Sequence, residues 1–203
     1  MIRLPRLYAI LDPACFHGDQ WFTAAKELVA AGVLLLQYRN KFGTSREIFG
    51  QAQALRTQLD RSVKLIMNDR ADLALATEFD GVHVGQDDLS AEGARKVIRG
   101  DLWLGVSTHS PAQVEAVNRT SADYVAIGPV FSTVSKTNPD PVVGLEGVKK
   151  ARSLTAKPLV AIGGITRENC HSVLDVGADS VAVISDLMKE PKKSAEEFLR
   201  ILG

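Results

Sequence analysis

Eight short apolar runs alternate with amphipathic stretches along this chain of 203 residues. That alternation limits the fold more than any other feature. The predicted strands are Leu7–Leu11, Val33–Gln37, Lys64–Met67, Gly81–Val84, Leu102–Val106, Tyr124–Ile127, Leu159–Ile162 and Ser180–Ile184. Trp21–Ala31, Arg46–Leu59, Ala91–Arg99, Pro111–Asn118 and Arg167–Val176 read as helices, and a last helix covers about Ser194–Leu202. Pro111 stands behind the cap residue Ser110, a common way to begin a helix. Strands that are apolar on both faces and alternate with helices belong to a parallel sheet covered by helices. About eight such units predict a single-domain α/β protein, a (β/α)8 TIM barrel over residues 1–203. An open doubly wound sheet is the competitor, but it usually has fewer strands, and no G-x-G-x-x-G follows the first one here.

A weak internal repeat supports the barrel. "FDGVHVGQ", "SADYVAIG" and "GADSVAVIS" each put an Asp at the start of a strand that ends in Gly or Ser.

Lys plus Arg and Asp plus Glu both total 24, so no net field draws the chain to nucleic acid or to an anionic membrane. Any bound anion must be held by a local arrangement. Cys15 and Cys170 lack metal-site spacing and read as free thiols. With no signal-peptide pattern and no apolar run able to span a bilayer, the expected location is the cytoplasm.

In a barrel, chemistry gathers at the carboxyl ends of the strands and in the loops that follow. Those ends carry Gln37, Arg39 and Lys41, then Asn68 and Asp69, then Gln86, Asp87 and Asp88, then Ser107, Thr108 and His109. Strand six leads into a long loop with Ser132, Thr133, Ser135 and Lys136. Strand seven ends in Gly163-Gly164, and strand eight in Ile184-Ser185.

Arg39, Lys41 and Lys136 converge from separate strands, as a polyanion requires. Asp69 and Asp88, from neighbouring ends, suit Mg²⁺, which takes one or two carboxylates together with waters and substrate phosphates. Gly163-Gly164 and Ile184-Ser185 offer backbone N–H groups of the usual barrel phosphate site. The implied ligands are small molecules, a metal-bound pyrophosphate and a monophosphate. Plainer roles stay open at this point: Asp69 as the cap of a helix starting at Ala71, Arg39 and Lys41 as solvated charges. His83 reads as a hydrogen-bonded core residue, although with the two aspartates it would also make a zinc site. His109 is a possible acid or base. His17 and His171 read as surface residues.

"QYRNK", "MNDRADLAL", "GVHVGQDDL", "LGVSTHS", "GPVFSTVSK", "VAIGGIT" and "GADSVAVIS" together, in order and across nearly the whole chain, resemble the thiamine phosphate synthase family, which also includes thiazole tautomerases. The resemblance implies a (β/α)8 transferase joining hydroxymethylpyrimidine diphosphate to a thiazole phosphate, with release of pyrophosphate. Asp69 and Asp88 are then the Mg²⁺ ligands, and Arg39, Lys41, Asn68, Ser107 and Lys136 the pyrophosphate binders. Gln37 is a pyrimidine contact. Thr133, Ser135, Gly164, Ile184 and Ser185 form the thiazole-phosphate cradle. The loop after strand six, stiffened by Pro139 and Pro141, is then expected to be a lid. The chain departs from the family in Asn40, where Glu is usual, and in Ser135, where a second Thr is usual. A tautomerase using His109, or a phosphate-binding barrel without turnover, are the alternatives. Homo-oligomerisation stays open.

Overall fold

In a computed structural model, which describes residues 2–133 and 140–203, eight parallel strands close into a barrel in sequence order. The strands are β1 (Leu7–Leu11), β2 (Leu35–Tyr38), β3 (Lys64–Asn68), β4 (Gly81–Val84), β5 (Trp103–Thr108), β6 (Tyr124–Ile127), β7 (Leu159–Ile162) and β8 (Ser180–Val183). The helices around them are α1 (Gln20–Ala30), α2 (Ser45–Gln58), α3 (Ala71–Ala76), α4 (Ala91–Ile98), α5 (Pro111–Asn118), α6 (Gly144–Leu154) and α7 (Cys170–Asp175). A short α8 (Ser185–Met188) and α9 (Pro191–Leu202) follow β8. Leu7, Tyr8 and Ala9 pair with Val181, Ala182 and Val183, which closes β1 onto β8.

The two-residue period of each strand divides the core into two parts. Leu7, Ala9, Leu36, Leu65, Met67, Val82, Leu104, Val125, Leu159 and Val181 point outward into the sheet–helix layer. Tyr8, Ile10, Leu35, Ile66, Tyr124, Ala126, Val160 and Ala182 fill the barrel interior. A strand buried on both faces has no polar alternation, which is why the runs read as continuously apolar.

The helices begin where the sequence supplies caps. Thr44 and Glu47 form a reciprocal capping box at the start of α2. Ser90 caps α4 and Ser110 caps α5, the latter with Pro111 in its first turn. Two predicted helices start one residue early, at Gln20 and Ser45, and two differ by three residues. The Arg167–Val176 expectation shrinks to α7 because Asn169 Oδ1 accepts the Thr166 N–H at 2.8 Å, holding the preceding residues in a turn. The last helix begins earlier, at Pro191. β5 runs two residues further than expected, to Thr108, whose hydroxyl donates to the Ala126 carbonyl at 2.7 Å. Ser107 is therefore a strand residue.

The internal repeat has a structural meaning at the amino ends of the strands. Asp80, Asp123 and Asp179 each precede an even-numbered strand, and each accepts the backbone N–H of Leu65, Leu104 or Leu159 on the strand before. Each is also ion-paired to an arginine, from α2 (Arg56), α4 (Arg95) or α6 (Arg152). Three turns of the barrel are thus clasped in the same way. In the fourth equivalent place stands Leu34, half exposed.

Both cysteines are free. Among the described residues, no helix is long and apolar enough to cross a membrane.

Candidate active site

Site residues emerge at the carboxyl end of the barrel from the same two-residue period. Tyr8, Gln37, His83, Ser107 and Tyr124 all occupy inward positions of their strands. Arg39 and Lys41 lie just past β2 and lean to opposite sides. Arg39 forms an ion pair with Asp12 at the end of β1. Lys41 reaches across to Asp69 beyond β3, Nζ to Oδ2 at 2.5 Å. Neither is a free surface charge.

The loop that carries Lys41 is built by Asn40. Its Oδ1 accepts the backbone N–H groups of Phe42 and Gly43 at 3.2 and 2.8 Å. Its Nδ2 donates to Tyr38 Oη at 3.2 Å and to Gln51 Oε1 at 3.1 Å. A Cβ on Gly43 would meet Asn40 Nδ2 at 2.6 Å, so any larger residue there would have to displace the Asn40 side chain. The Asn40 side chain thus faces its own loop, and its donor and acceptor ends are both used.

Asp69 adopts a left-handed backbone conformation (φ 63°), uncommon outside glycine. Its N–H bonds to the His83 carbonyl at 2.8 Å. The N-cap of α3 is Arg70, with no side-chain cap bond, so the helix-cap reading of Asp69 is set aside. The carboxylate instead faces Asp88, which itself accepts the Gly85 N–H at 2.8 Å. Burial pushes the Asp69 carboxyl above its ordinary value; Lys41 opposes that rise, and the facing Asp88 carboxyl adds to it.

Two carboxylates facing one another beside a single lysine form a donor set that suits a hard divalent cation completed by water and phosphate oxygens. The described residues hold no group of three or more His, Cys, Asp or Glu able to enclose a metal by themselves. His83 is directed elsewhere. Its ring nitrogens lie 3.1 Å from Tyr124 Oη and 2.8 Å from Ser107 Oγ, in keeping with a hydrogen-bonded core residue.

On the other side of the rim an open cleft of about 480 Å³ collects Thr133, Gly164, Ile184 and Ser185, together with Gly163 and Lys189. Gly164 has φ 64°, and a Cβ there would lie 2.4 Å from the Ser132 carbonyl oxygen. Only glycine lets the β7 loop approach the β6 loop so closely. The two loops also share backbone bonds, Val130 N–H to Ile162 O at 2.9 Å and Phe131 N–H to Gly163 O at 3.0 Å. Beneath the cleft Asp186 binds Arg167, which also pairs with Glu197. Burial alone would raise the Asp186 carboxyl, but Arg167 and Lys189 outweigh it and hold the group below its ordinary value.

His109 is engaged on both ring nitrogens. Nδ1 lies 2.6 Å from the Gly128 carbonyl oxygen and Nε2 lies 3.4 Å from Asp140. It thereby ties together the two ends of the β6–α6 connection. Ser135, Lys136 and Pro139 lie outside the described residues. Asp12, Tyr8, Tyr124 and Lys189 are absent from the sequence-derived site. Asp12 and Tyr8 come from β1, which meets its partners only through barrel closure.

These features define a class: a (β/α)8 barrel with a pair of facing carboxylates beside Lys41 on one side of its rim and an open cleft over β7 and β8 on the other. Comparison with known proteins refines it. A family described as "Thiamine monophosphate synthase" matches residues 7–187, and the chain belongs to that family. The "Thiamine-phosphate synthase" of Koribacter versatilis is 58% identical, covering 99% of this chain and 97% of the relative. That of Chloroflexus aurantiacus is 39% identical over 89% and 83%. Among solved structures, a thiamine phosphate pyrophosphorylase from Pyrococcus furiosus is 32% identical with a TM-score of 0.86, covering 97% of this chain and 95% of that one. A mutant tryptophan synthase alpha-subunit from Pyrococcus furiosus, 16% identical with a TM-score of 0.70 and coverage of 97% and 94%, shares the fold alone.

Proposed function

We propose that the chain is a thiamine-phosphate synthase, a transferase that couples hydroxymethylpyrimidine diphosphate to a thiazole phosphate and releases pyrophosphate. The observation that supports the reading is the presence of two unlike groups of residues on one rim. Arg39, Lys41, Asp69 and Asp88 stand over β1–β4, while Gly164, Ile184 and Ser185 stand over β7–β8.

The bond that breaks joins the pyrimidine methylene to the diphosphate oxygen. The bond that forms joins that methylene to the thiazole nitrogen, whose lone pair supplies the electrons. No proton has to move, and the inventory agrees with a reaction driven by charge: cations and carboxylates stand together at the rim. Arg39, Lys41 and Lys136 hold the leaving pyrophosphate, with Asn68 and Ser107 beside it, and their fixed charge favours departure over return. Mg²⁺ held by Asp69 and Asp88 would neutralise part of the charge that develops on that leaving group. Gln37 orients the pyrimidine from the barrel floor. Thr133, Ser135, Gly164, Ile184 and Ser185 grip the thiazole phosphate, so the nitrogen is aligned before the bond breaks.

Asp69→Ala tests this reading. Turnover should fall at least about a hundredfold, while thiazole phosphate binds as before. Full turnover in this variant would refute the assignment. Unchanged isomerisation of a thiazole carboxylate phosphate, without coupling, would point to the tautomerase instead.

A further inference from the structure

The cleft over β7 and β8 is lined mostly by neutral groups. Among the described residues on its wall, the charged ones are Asp186 and Lys189. Both belong to the turn of helix that follows β8. Leu187 and Met188 are buried in the core, which fixes α8 in place, and the chain surfaces again at Lys189. Lys189 still has helical backbone angles (φ −67°, ψ −49°) and follows Ser185 by four residues. Residues four apart share one face of a helix, and long side chains lean back over the turn before them. The Lys189 stem therefore runs along the Ser185 side of α8, toward the cleft that both residues line.

The ion pairs around α8 make Lys189 the exchangeable cation. Asp186 is buried and already engaged by Arg167. Its Oδ2 accepts the Arg167 backbone N–H at 3.1 Å and Nε at 3.0 Å, and its Oδ1 accepts Nη2 at 3.2 Å. Lys189 adds one longer contact to that same Oδ1, at 3.3 Å, from a side chain that is 69% exposed. A pair so open to water is weak. Asp186 thus loses little if Lys189 turns away, because Arg167 still balances its charge. Arg167 could leave only by breaking three bonds to Asp186 and its pair with Glu197.

We propose that Lys189 is a further substrate-binding residue, which exchanges its contact with Asp186 for the phosphate of the thiazole fragment. The proposal rests on the reading above that this cleft takes the thiazole phosphate. A phosphate monoester carries most of two negative charges at neutral pH, and a lysine ammonium meets that charge where neutral donors do not. The contact selects the phosphorylated thiazole over its free alcohol, which offers Lys189 no charge. The phosphate stands outside the bond that forms and keeps its charge throughout, so the contact serves substrate and transition state alike. Its loss belongs in KM and not in kcat.

Calorimetry and initial rates on Lys189→Met, Lys189→Arg and Lys193→Met test this. Lys193 pairs with Glu190 and is 60% exposed, so its removal changes the net charge equally without touching the cleft wall. Lys189→Met should weaken thiazole phosphate binding about tenfold, the low end for a hydrogen bond to a charged group, and leave the thiazole alcohol within about twofold. KM for thiazole phosphate should rise by the same factor, with kcat and the KM for the pyrimidine diphosphate unchanged. Lys189→Arg, which keeps the charge, should restore most of the affinity, and Lys193→Met should lose none. Wild-type affinity in a folded Lys189→Met, equal losses for phosphate and alcohol, no recovery with arginine, or the same loss in Lys193→Met each overturn the assignment. Ethyl phosphate separates the residue from the reading. If the wild type binds ethyl phosphate but not thiazole phosphate, and Lys189→Met weakens that binding, the anion contact stands and the functional reading falls. If it binds neither, the assignment falls as well.

Discussion

Removing the carboxylate of Asp80 should cost far more stability than removing its counterpart Asp179, although both occupy the same place in a repeated clasp. Asp80 accepts from the Leu65 N–H at 2.9 Å, from Lys64 Nζ at 2.9 Å and from Arg56 Nη1 at 3.0 Å. The Arg56 side chain is only 5% exposed, and its Nε and Nη2 have no partner among the described residues. Asp80→Ala therefore strands a buried guanidinium, a loss of about 3–5 kcal/mol. Arg152, the partner of Asp179, is 28% exposed and also donates to the carbonyls of Thr155 and Lys157. Asp179→Ala leaves it well satisfied, and the cost should be about 1–2 kcal/mol. For a domain of this size the melting temperature should drop by roughly 6–20 °C in the first variant and 2–8 °C in the second. Urea unfolding, followed by circular dichroism, would measure both. Adding Arg56→Met to Asp80→Ala should recover part of the loss, because the stranded charge is then gone. Equal costs for Asp80 and Asp179, or no recovery in the double variant, would refute this account.

Other expectations follow from the same geometry. Gly105→Ala forces a Cβ against Tyr124 and His83 and should destabilise the fold by about 1–3 kcal/mol, with a raised KM for the pyrimidine diphosphate. Thermal melts and initial-rate kinetics check both parts. Asn40→Ala removes the side-chain bonds that shape the Lys41 loop. It should raise the KM for the diphosphate substrate about tenfold while leaving thiazole phosphate affinity unchanged by calorimetry. The Asp186 carboxyl is held below its ordinary value in the fold, so its stabilising contribution is present above the usual carboxylate pKa of about 3.9 and is lost as pH falls through the folded value. Asp186→Asn should therefore lower stability at neutral pH and flatten the acid side of a stability–pH curve.

Much of the barrel is legible in the sequence because its strands are buried on both faces and end at residues that break pairing. β1, β4, β6 and β7 begin and end where the apolar runs do. β5 is harder to read, since its last two residues are polar and only the closed sheet shows that Thr108 still pairs with β6. The candidate site residues that follow strand ends are legible for the same reason: Arg39, Lys41, Asp69, Asp88, Gly164 and Ser185 all lie at the carboxyl ends of strands. Their pairings are not legible. Nothing along the chain connects Asp12 to Arg39, or Tyr8 to Tyr124, because those contacts exist only once the barrel closes. The repeated Asp before β4, β6 and β8 is visible as a pattern, but its clasp with an arginine three elements earlier is a property of three dimensions.

The central claim is most directly tested by pyrophosphate release from the purified protein given both fragments, with Mg²⁺ and again with EDTA. The account predicts release that needs both fragments and the metal, together with formation of thiamine phosphate. A folded protein that binds both fragments and releases no pyrophosphate under either condition would contradict it.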